Sequence, residues 1–406
     1  MKRVLIVILI IVFIFFVFVD IKKPESTGVN SVASQAAKEE AFTKEEVTAK
    51  IYGVWLTYSE IGSLVKGKSE AEYKKSLEVV FNNLTKNKIN TVFYQCRAFC
   101  DSLYKSEIFP ASAYVGSLTY DPLKIFIDFA NQNNIAVHGW VNPYRVSYNN
   151  KIKNLPKGSP ALGLYKKEAS SLFVCENGIY LNPACSDANA LVLKGVKELL
   201  NNYSLAGVHF DDYFYPEAAS LCDEAAYADY VRAGGQHSLA QWRRENVSAL
   251  VKSVYCLVKA ENHELLFTIS PAGDIEKCLN TYYCDVVKWC SEEGFADYII
   301  PQLYYGFENE SMPFEAVLAE WADLHVGGAE LLCGLALYKC GRVDSFAGKG
   351  DGEWCENVNI LSRQYEQALK TEVYQGFVLF SYSYGFGENV TQISKKEIKN
   401  LQYMVE

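Results

Sequence analysis

The sequence lacks any surplus of positive charge. Its 39 Lys and Arg stand against 48 Asp and Glu, a net charge of −9 over 406 residues. Nucleic-acid binding needs a basic stripe to neutralise phosphate. None is present, so no nucleic-acid partner is expected. Histidine is scarce at 5 residues, and none falls in an HExxH helix. The 12 cysteines form no CxxC pair and no Cys/His cluster with zinc spacing, so no metal is expected. A GxSxG elbow and a phosphate loop are also missing, which removes support for esterase and nucleotide-dependent chemistry. No cofactor is implied, and no short internal repeat is visible.

Only one long hydrophobic run exists. Val4 to Val19 follows Lys2 and Arg3 and carries no charge before Asp20. A bilayer needs about 17–25 apolar residues, so the run sits at the lower edge for spanning. The sequence after it, FVDIKKPES, has no small-residue cleavage site; the nearest plausible one is Ser34-Gln35-Ala36. Residues 1–20 are therefore expected to be an uncleaved signal anchor. The reading is a single-pass protein of the cell membrane with its catalytic domain on the extracytoplasmic side; the alternative is secretion after signal cleavage. Lys22 and Lys23 balance Lys2 and Arg3, so charge does not set the orientation. Residues 21–48 are polar and rich in small side chains, as a disordered tether would be, and 49–406 form the folded domain. Outside the membrane, disulfides are open to Cys175/Cys185 or within Cys278, Cys284 and Cys290. Cys96 and Cys333 fall inside expected strands, where Cys acts as a small apolar residue.

From Ile51 a rhythm begins. Short apolar runs (IYGVWLT, INTVFYQCR, IAVHGWVNP, GVHFDDY, LLFTISPAG, DYIIPQLYY, LLCGLALY, GFVLFSYSY) alternate with helical patterns such as EYKKSLEVVFNNLTKN and LVLKGVKELLNNY. Eight strand–helix units predict an α/β fold, a (β/α)8 TIM barrel with a long insertion after the third strand, from Ser147 to about Ser186. That insertion overhangs the active face as a lid or subsite wall, or is an ordinary surface loop.

Alternation along each strand then sorts side chains into interior and helix-facing sets. The interior set is Trp55 and Thr57, Gln95 and Arg97, His138, Trp140 and Asn142, His209 and Asp211, Thr268 and Ser270, Gln302 and Tyr304, and Ser381. Tyr213 shares the parity of Asp211, whereas Asp212 is expected to face the wall or the loop. Polar groups thus gather at the C-terminal strand ends, where barrel active sites lie. Other readings exist for each. Asp212 suits a helix or loop cap. His209 and His138 suit satisfied core positions, and Trp140 suits packing. Arg97 suits neutralisation of Asp211 or Asp101, and Asp211 itself suits a buried ion pair.

The stretch GVHFDDYFYP, with QCRAFCDSLYKS, HGWVNPYRVS, ISPAG, PQLYY and GLALYK in order, resembles the glycosyl-hydrolase-like family 10 proteins over about Ile51 to Tyr384. The resemblance implies a (β/α)8 barrel and glycan hydrolysis at the cell envelope, for some members of peptidoglycan glycan strands. Its motif residues fall on Arg97, Asp101, Asn142, Tyr144, Arg145, Asp211, Asp212, Gln302 and Tyr304. Two stretches depart from the family pattern. Ala98-Phe99-Cys100 stands where Pro and Gly are usual before the Asp, and Pro110-Ala111-Ser112 stands where Pro-Trp-Ser is usual.

Glycosidases need two carboxyl groups, one of them protonated at working pH. Asp211 is one; Asp101, Glu107, Asp212 and Asp274 compete to be the second. In the substrate-assisted route the substrate's own acetamide attacks. His209-x-Asp211-x-Tyr213 has the spacing of the fourth-strand DxDxE motif of glycoside hydrolase family 18 chitinases, with Tyr in the acid's place. The expected function is a glycosidase on N-acetylated cell-wall glycan. Asp211, Asp212 and Asp101 are its candidate catalytic residues. Arg97, Trp140, Asn142, Tyr144, Arg145, His209, Tyr213, Gln302 and Tyr304 are expected to bind substrate. The alternative is a non-catalytic, membrane-anchored glycan-binding barrel, marked by the lack of a second carboxyl near Asp211.

Overall fold

The computed structural model describes residues 50–217 and 223–405. The proposed anchor and tether lie outside the described residues. Strands in chain order are β1 (Ile51–Leu56), β2 (Thr91–Arg97), β3 (Ala136–Val141), β4 (Arg145–Ser147), β5 (Leu172–Cys175), β6 (Gly178–Leu181), β7 (Gly207–Phe210), β8 (Leu266–Ile269), β9 (Tyr298–Ile299), β10 (Glu330–Leu335) and β11 (Tyr374–Leu379). Eight of them close a barrel in the order β1-β11-β10-β9-β8-β7-β3-β2. Each of the eight apolar runs read from the sequence supplies one barrel strand, and every neighbouring pair in the barrel is parallel. Closure runs through Ile51 opposite Gly376. There the backbone has φ +145°, and a Cβ would collide with the Ile51 carbonyl, so this position requires glycine.

Alternation separates two apolar layers. Trp55, Phe93, Trp140, Ile300, Leu332 and Val378 pack inside the barrel. Val54, Val92, Tyr94, Val141, Val208 and Phe267 face the surrounding helices. The helix Glu70–Lys86 shows the matching pattern. Tyr73, Leu77, Val80, Phe81 and Leu84 are buried at three-to-four spacing, and a Ser69/Glu72 capping box starts the helix.

The insertion after β3 is built rather than loose. It carries the antiparallel sheet β4-β6-β5 and the helix Pro160–Lys167. The other irregularity that shapes the site lies in β2. Register against β3 shifts between Gln95 and Arg97, so two residues of β2 span one step of its neighbour.

None of the cysteine pairs considered from sequence is bridged. Cys278, Cys284 and Cys290 are buried thiols, and Cys185 lies by the Ser171 hydroxyl. Among the described residues no helix is long and apolar enough to cross a membrane.

Candidate active site

At the C-terminal end of the barrel lies a cavity of about 490 Å³, within the range of small-ligand pockets. Every barrel strand or the residues just after it contributes to the wall. Trp55, Thr57 and Tyr58 come from the end of β1, Gln95 from β2, and Trp140 and Asn142 from β3. Asp211, Asp212 and Tyr213 follow β7, Ser270 follows β8, and Gln302 and Tyr304 follow β9. Tyr338 follows β10 and Phe380 follows β11, while Arg145 enters from the first residue of β4.

Why this local chain places two carboxyls in one cavity follows from where β7 stops. The strand ends at Phe210, so strict alternation no longer governs the next residues, and both Asp211 and Asp212 reach the cavity. Asp211 is 3% exposed. Its Oδ2 accepts a bond from the Trp140 indole Nε1 at 2.9 Å, and its Oδ1 accepts from the Tyr213 amide at 3.2 Å. Burial and then the adjacent Asp212 charge hold its pKa well above the usual carboxylate range, against the pull of Trp140, Tyr213 and Arg145. Burial also raises Asp212, opposed by backbone and Gln302 hydrogen bonding and by the Arg145 and Lys277 charges. Two such groups titrate as a pair, in two steps that belong to both. The pair therefore keeps one proton into a pH range where ordinary carboxyls have lost theirs.

The surrounding polar groups are one cation, three side-chain amides and a set of serine, threonine and tyrosine hydroxyls. The Arg145 guanidinium lies 4.3 Å from the Tyr213 ring centroid and 4.9 Å from that of Phe99, with its Nε buried and unpartnered. Gln95 is fixed at both ends: its Oε1 accepts from the Tyr58 amide at 2.8 Å, and its Nε2 donates to Asn142 Oδ1 at 2.9 Å. That leaves Asn142 Nδ2 buried without a partner, a free donor at the cavity wall. Gln302 is held by a bond from its Nε2 to the Ser270 carbonyl at 3.0 Å.

Below the floor sits His209, fully buried. The Trp55 indole, which can only donate, lies 3.0 Å from His209 Nε2, and Thr268 Oγ1 lies 2.8 Å from Nδ1. The ring is therefore the neutral tautomer with its proton on Nδ1. Burial and the nearby His138 push its pKa well below the ordinary value. His138 is itself lowered to about 4 by burial.

Several sequence expectations need correction. Arg97 does not enter the barrel. The β2 irregularity turns it outward, where it stacks 4.1 Å over Phe109 and presses against Gly195 of the helix Ser186–Asn202. Tyr144 is buried away from the cavity, its hydroxyl donating to Asn189 Oδ1 at 2.7 Å. His209 supports Trp55 from beneath rather than lining the wall. Asp212, expected to face the wall or loop, lines the cavity. Asp101 lines a neighbouring cavity, where burial raises its pKa against Ser112 and Arg97. Asp274 caps the helix Ile275–Asn280 by accepting from Lys277, and Glu107 is exposed. At the end of β11 it is Phe380 that lines the cavity. Ser381 instead donates to Glu60 Oε1 at 2.7 Å. Tyr58, Tyr338 and Phe380 join the wall beyond the expected set, and aromatics one to three residues past a barrel strand are the sequence signal for them.

The closed (β/α)8 barrel sets Asp211 and Asp212 side by side at its C-terminal mouth, two carboxyls of the kind that glycoside hydrolases use. Residues 50–354 match the model of the family described as Glycosyl hydrolase-like 10, and the chain belongs to that family. It is 30% identical over 300 residues to glycosyl hydrolase YngK of Bacillus subtilis (strain 168), covering 68% of this chain and 58% of that protein. The chain thus spans little more than half of the Bacillus relative. It is 29% identical over 325 residues to glycosyl hydrolase DigH of Escherichia coli (strain K12), covering 73% and 72% of the two chains. Among solved structures, it resembles the PgaB (BpsB) glycoside hydrolase domain from Bordetella bronchiseptica, with TM-score 0.54 and 13% identity over 87% of this chain and 98% of that one. The alpha-L-fucosidase isoenzyme 2 from Paenibacillus thiaminolyticus gives TM-score 0.55 and 13% identity over 88% and 49%. At such identity the likeness is one of fold.

Proposed function

We propose that this glycosyl hydrolase cleaves a cell-envelope polysaccharide built from N-acetylated sugars, of the kind found in peptidoglycan glycan strands. Asp211 and Asp212 would be its acid–base pair. The observation that carries this reading is the adjacent Asp211–Asp212 pair, with Asp211 buried, facing a cavity that also presents the side-chain amides of Gln95, Asn142 and Gln302. The unpartnered Asn142 Nδ2 is a donor suited to a substrate carbonyl, and Gln95 and Gln302 extend the same chemistry. Tyr304 and Phe380, half-buried at the cavity wall, offer apolar faces to sugar rings. Residues 1–20 hold the enzyme at the membrane, with the barrel on the extracytoplasmic side where such glycans lie.

In the mechanism, Asp211 carries the shared proton and gives it to the glycosidic oxygen as that bond breaks. Asp212 stays ionised and stabilises the positive charge that develops at the anomeric carbon, with Arg145 keeping the second charge tolerable. The oxygen of water ends on the anomeric carbon, and its proton returns to the pair. The attack comes from water directly or after the substrate's own acetamide has closed on the anomeric carbon. Trp140 and the Tyr213 amide fix the orientation of Asp211.

The test is incubation of the purified protein with peptidoglycan glycan strands, with and without stem peptides, with new reducing ends followed by mass spectrometry. Asp211→Asn should lower the rate by about 10²–10⁴-fold while circular dichroism shows the fold intact. Full activity in both Asp211→Asn and Asp212→Asn would refute the assignment. Binding without product would move the protein to the non-catalytic reading.

A further inference from the structure

A second cavity, of about 450 Å³, lies beside the first. The two share a partition. Tyr58 and Arg145 line the barrel cavity, and both touch the wall of the second. Tyr58 meets Tyr114 edge-on at 4.6 Å and Phe99 at 5.6 Å, and Arg145 lies 4.9 Å from the Phe99 ring centroid. Phe99 in turn meets Tyr148 at 5.8 Å. A line of aromatic rings therefore runs from the barrel mouth into the second cavity. It ends on Tyr148, which is 65% exposed. Its apolar ring face is therefore open to a partner at the end of this aromatic line.

The polar lining is as informative. Ser159 is 4% exposed, and the one group its hydroxyl meets is the Cys100 thiol, a weak donor and acceptor that leaves its hydrogen-bonding capacity largely unused. Asp101 Oδ1 is likewise buried and unpartnered. Buried polar atoms left without partners are uncommon and call for one. These groups ask for hydroxyls placed beside an apolar ring face, which is the surface of a pyranose. Lys66 and Asp101 oppose each other in charge, so nothing here selects an ionised ligand.

We propose that this second cavity is a distal subsite holding an uncharged sugar ring of the same glycan chain, with Tyr148 beneath its apolar face and Asp101 and Ser159 on its hydroxyls. The proposal rests on the glycosidase reading above. The structured insertion after β3 thereby measures chain length.

The test compares wild type and Tyr148→Ala on N-acetylglucosamine oligomers of graded length, taking kcat/KM for each. Because Tyr148 is exposed and outside the barrel cavity, its truncation leaves the fold and the shortest cleaved oligomer unaffected. Wild type should show a step of about tenfold in kcat/KM at the length that reaches the second cavity, and Tyr148→Ala should erase that step alone. Ser159→Ala should reduce the step without touching the shortest oligomer. A step that survives Tyr148→Ala, or an equal loss at every length, would overturn the subsite. Absence of any cleavage by wild type would count against the glycosidase reading for these glycans, and calorimetric titration with the same oligomers then decides the subsite. Weaker binding of long oligomers only by Tyr148→Ala supports it, whereas equal binding, or none by wild type, overturns it.

Discussion

Replacing Trp140 by Phe isolates the hydrogen bond that the carboxyl pair depends on. The substitution keeps an aromatic ring inside the barrel but deletes the indole donor 2.9 Å from Asp211 Oδ2. That donor favours the ionised form of Asp211. A hydrogen bond to a charged group is worth about 1.5–3 kcal/mol, and one pKa unit corresponds to about 1.4 kcal/mol. Its loss should therefore raise the pKa of the Asp211 side of the pair by about 1–2 units. With Asp211 as the proton donor, the alkaline limb of the pH–rate profile should move upward by that amount. The plateau should fall only modestly, because a weaker acid still reaches the glycosidic oxygen. The assay is initial reducing-end release across pH for wild type and Trp140→Phe, with thermal melts to confirm the fold. A uniform drop in rate with both limbs unmoved would refute the reasoning and make Trp140 a packing residue. An acid limb that moves instead would reverse the roles of the two carboxyls.

Asp212→Asn should abolish activity yet stabilise the protein. Its folded pKa is raised, so the wild-type group contributes stability fully below its unfolded pKa and loses it as pH rises through the folded one; the amide escapes that loss. Melting should show a gain of about 1–3 °C above neutral pH that vanishes in acid, and a variant that melts lower at every pH would contradict the buried-pair account. Glu397, buried under the Ile360 amide, has its pKa raised to about 7 by burial. Its share of stability is thus present below the unfolded value of about 4.5 and lost by about pH 7, and Glu397→Gln should flatten the stability curve of denaturant titrations across that window. Asp223 is fully buried and takes two bonds from Arg243, at 2.6 and 2.8 Å. Asp223→Ala leaves that guanidinium buried without its counter-charge, with only the Tyr283 hydroxyl bonded to it, and should cost about 3–5 kcal/mol in chemical denaturation; a cost below about 1 kcal/mol would mean that water reaches it.

What the sequence discloses, and what it withholds, divides along the regularity of the strands. All eight barrel strands are legible because each is a short apolar run bounded by turn residues or a helical pattern. Within the regular part of a strand, parity alone puts Trp55, Gln95 and Trp140 at the cavity. Arg97 goes astray because a one-residue register shift in β2 is invisible in the composition of QCRAF, and one extra residue reverses a side chain. Asp212 goes astray for a related reason: it lies beyond the last residue of β7, where alternation has no force. Tyr144 is named only by the family resemblance, and its hydroxyl is taken up by Asn189 instead. Arg145 is recovered only through family resemblance, since its position depends on β4 pairing with β6 some 35 residues later (Arg145 opposite Tyr180). Local pattern carries no trace of such a contact.

That placement of Arg145 joins two traits that a protein engineer would want to vary separately. The cation that steadies the carboxyl pair is mounted on the same small sheet that walls the outer cavity. Exchanging the segment between β3 and the helix Ser186–Asn202 for that of a relative would alter which chains are accepted, and it would also retune the acid. If the two cavities work as proposed, changes of specificity in this barrel would be bound to shifts in pH optimum, and a graft that alters one without the other would have to bring its own arginine to the same spot above Tyr213.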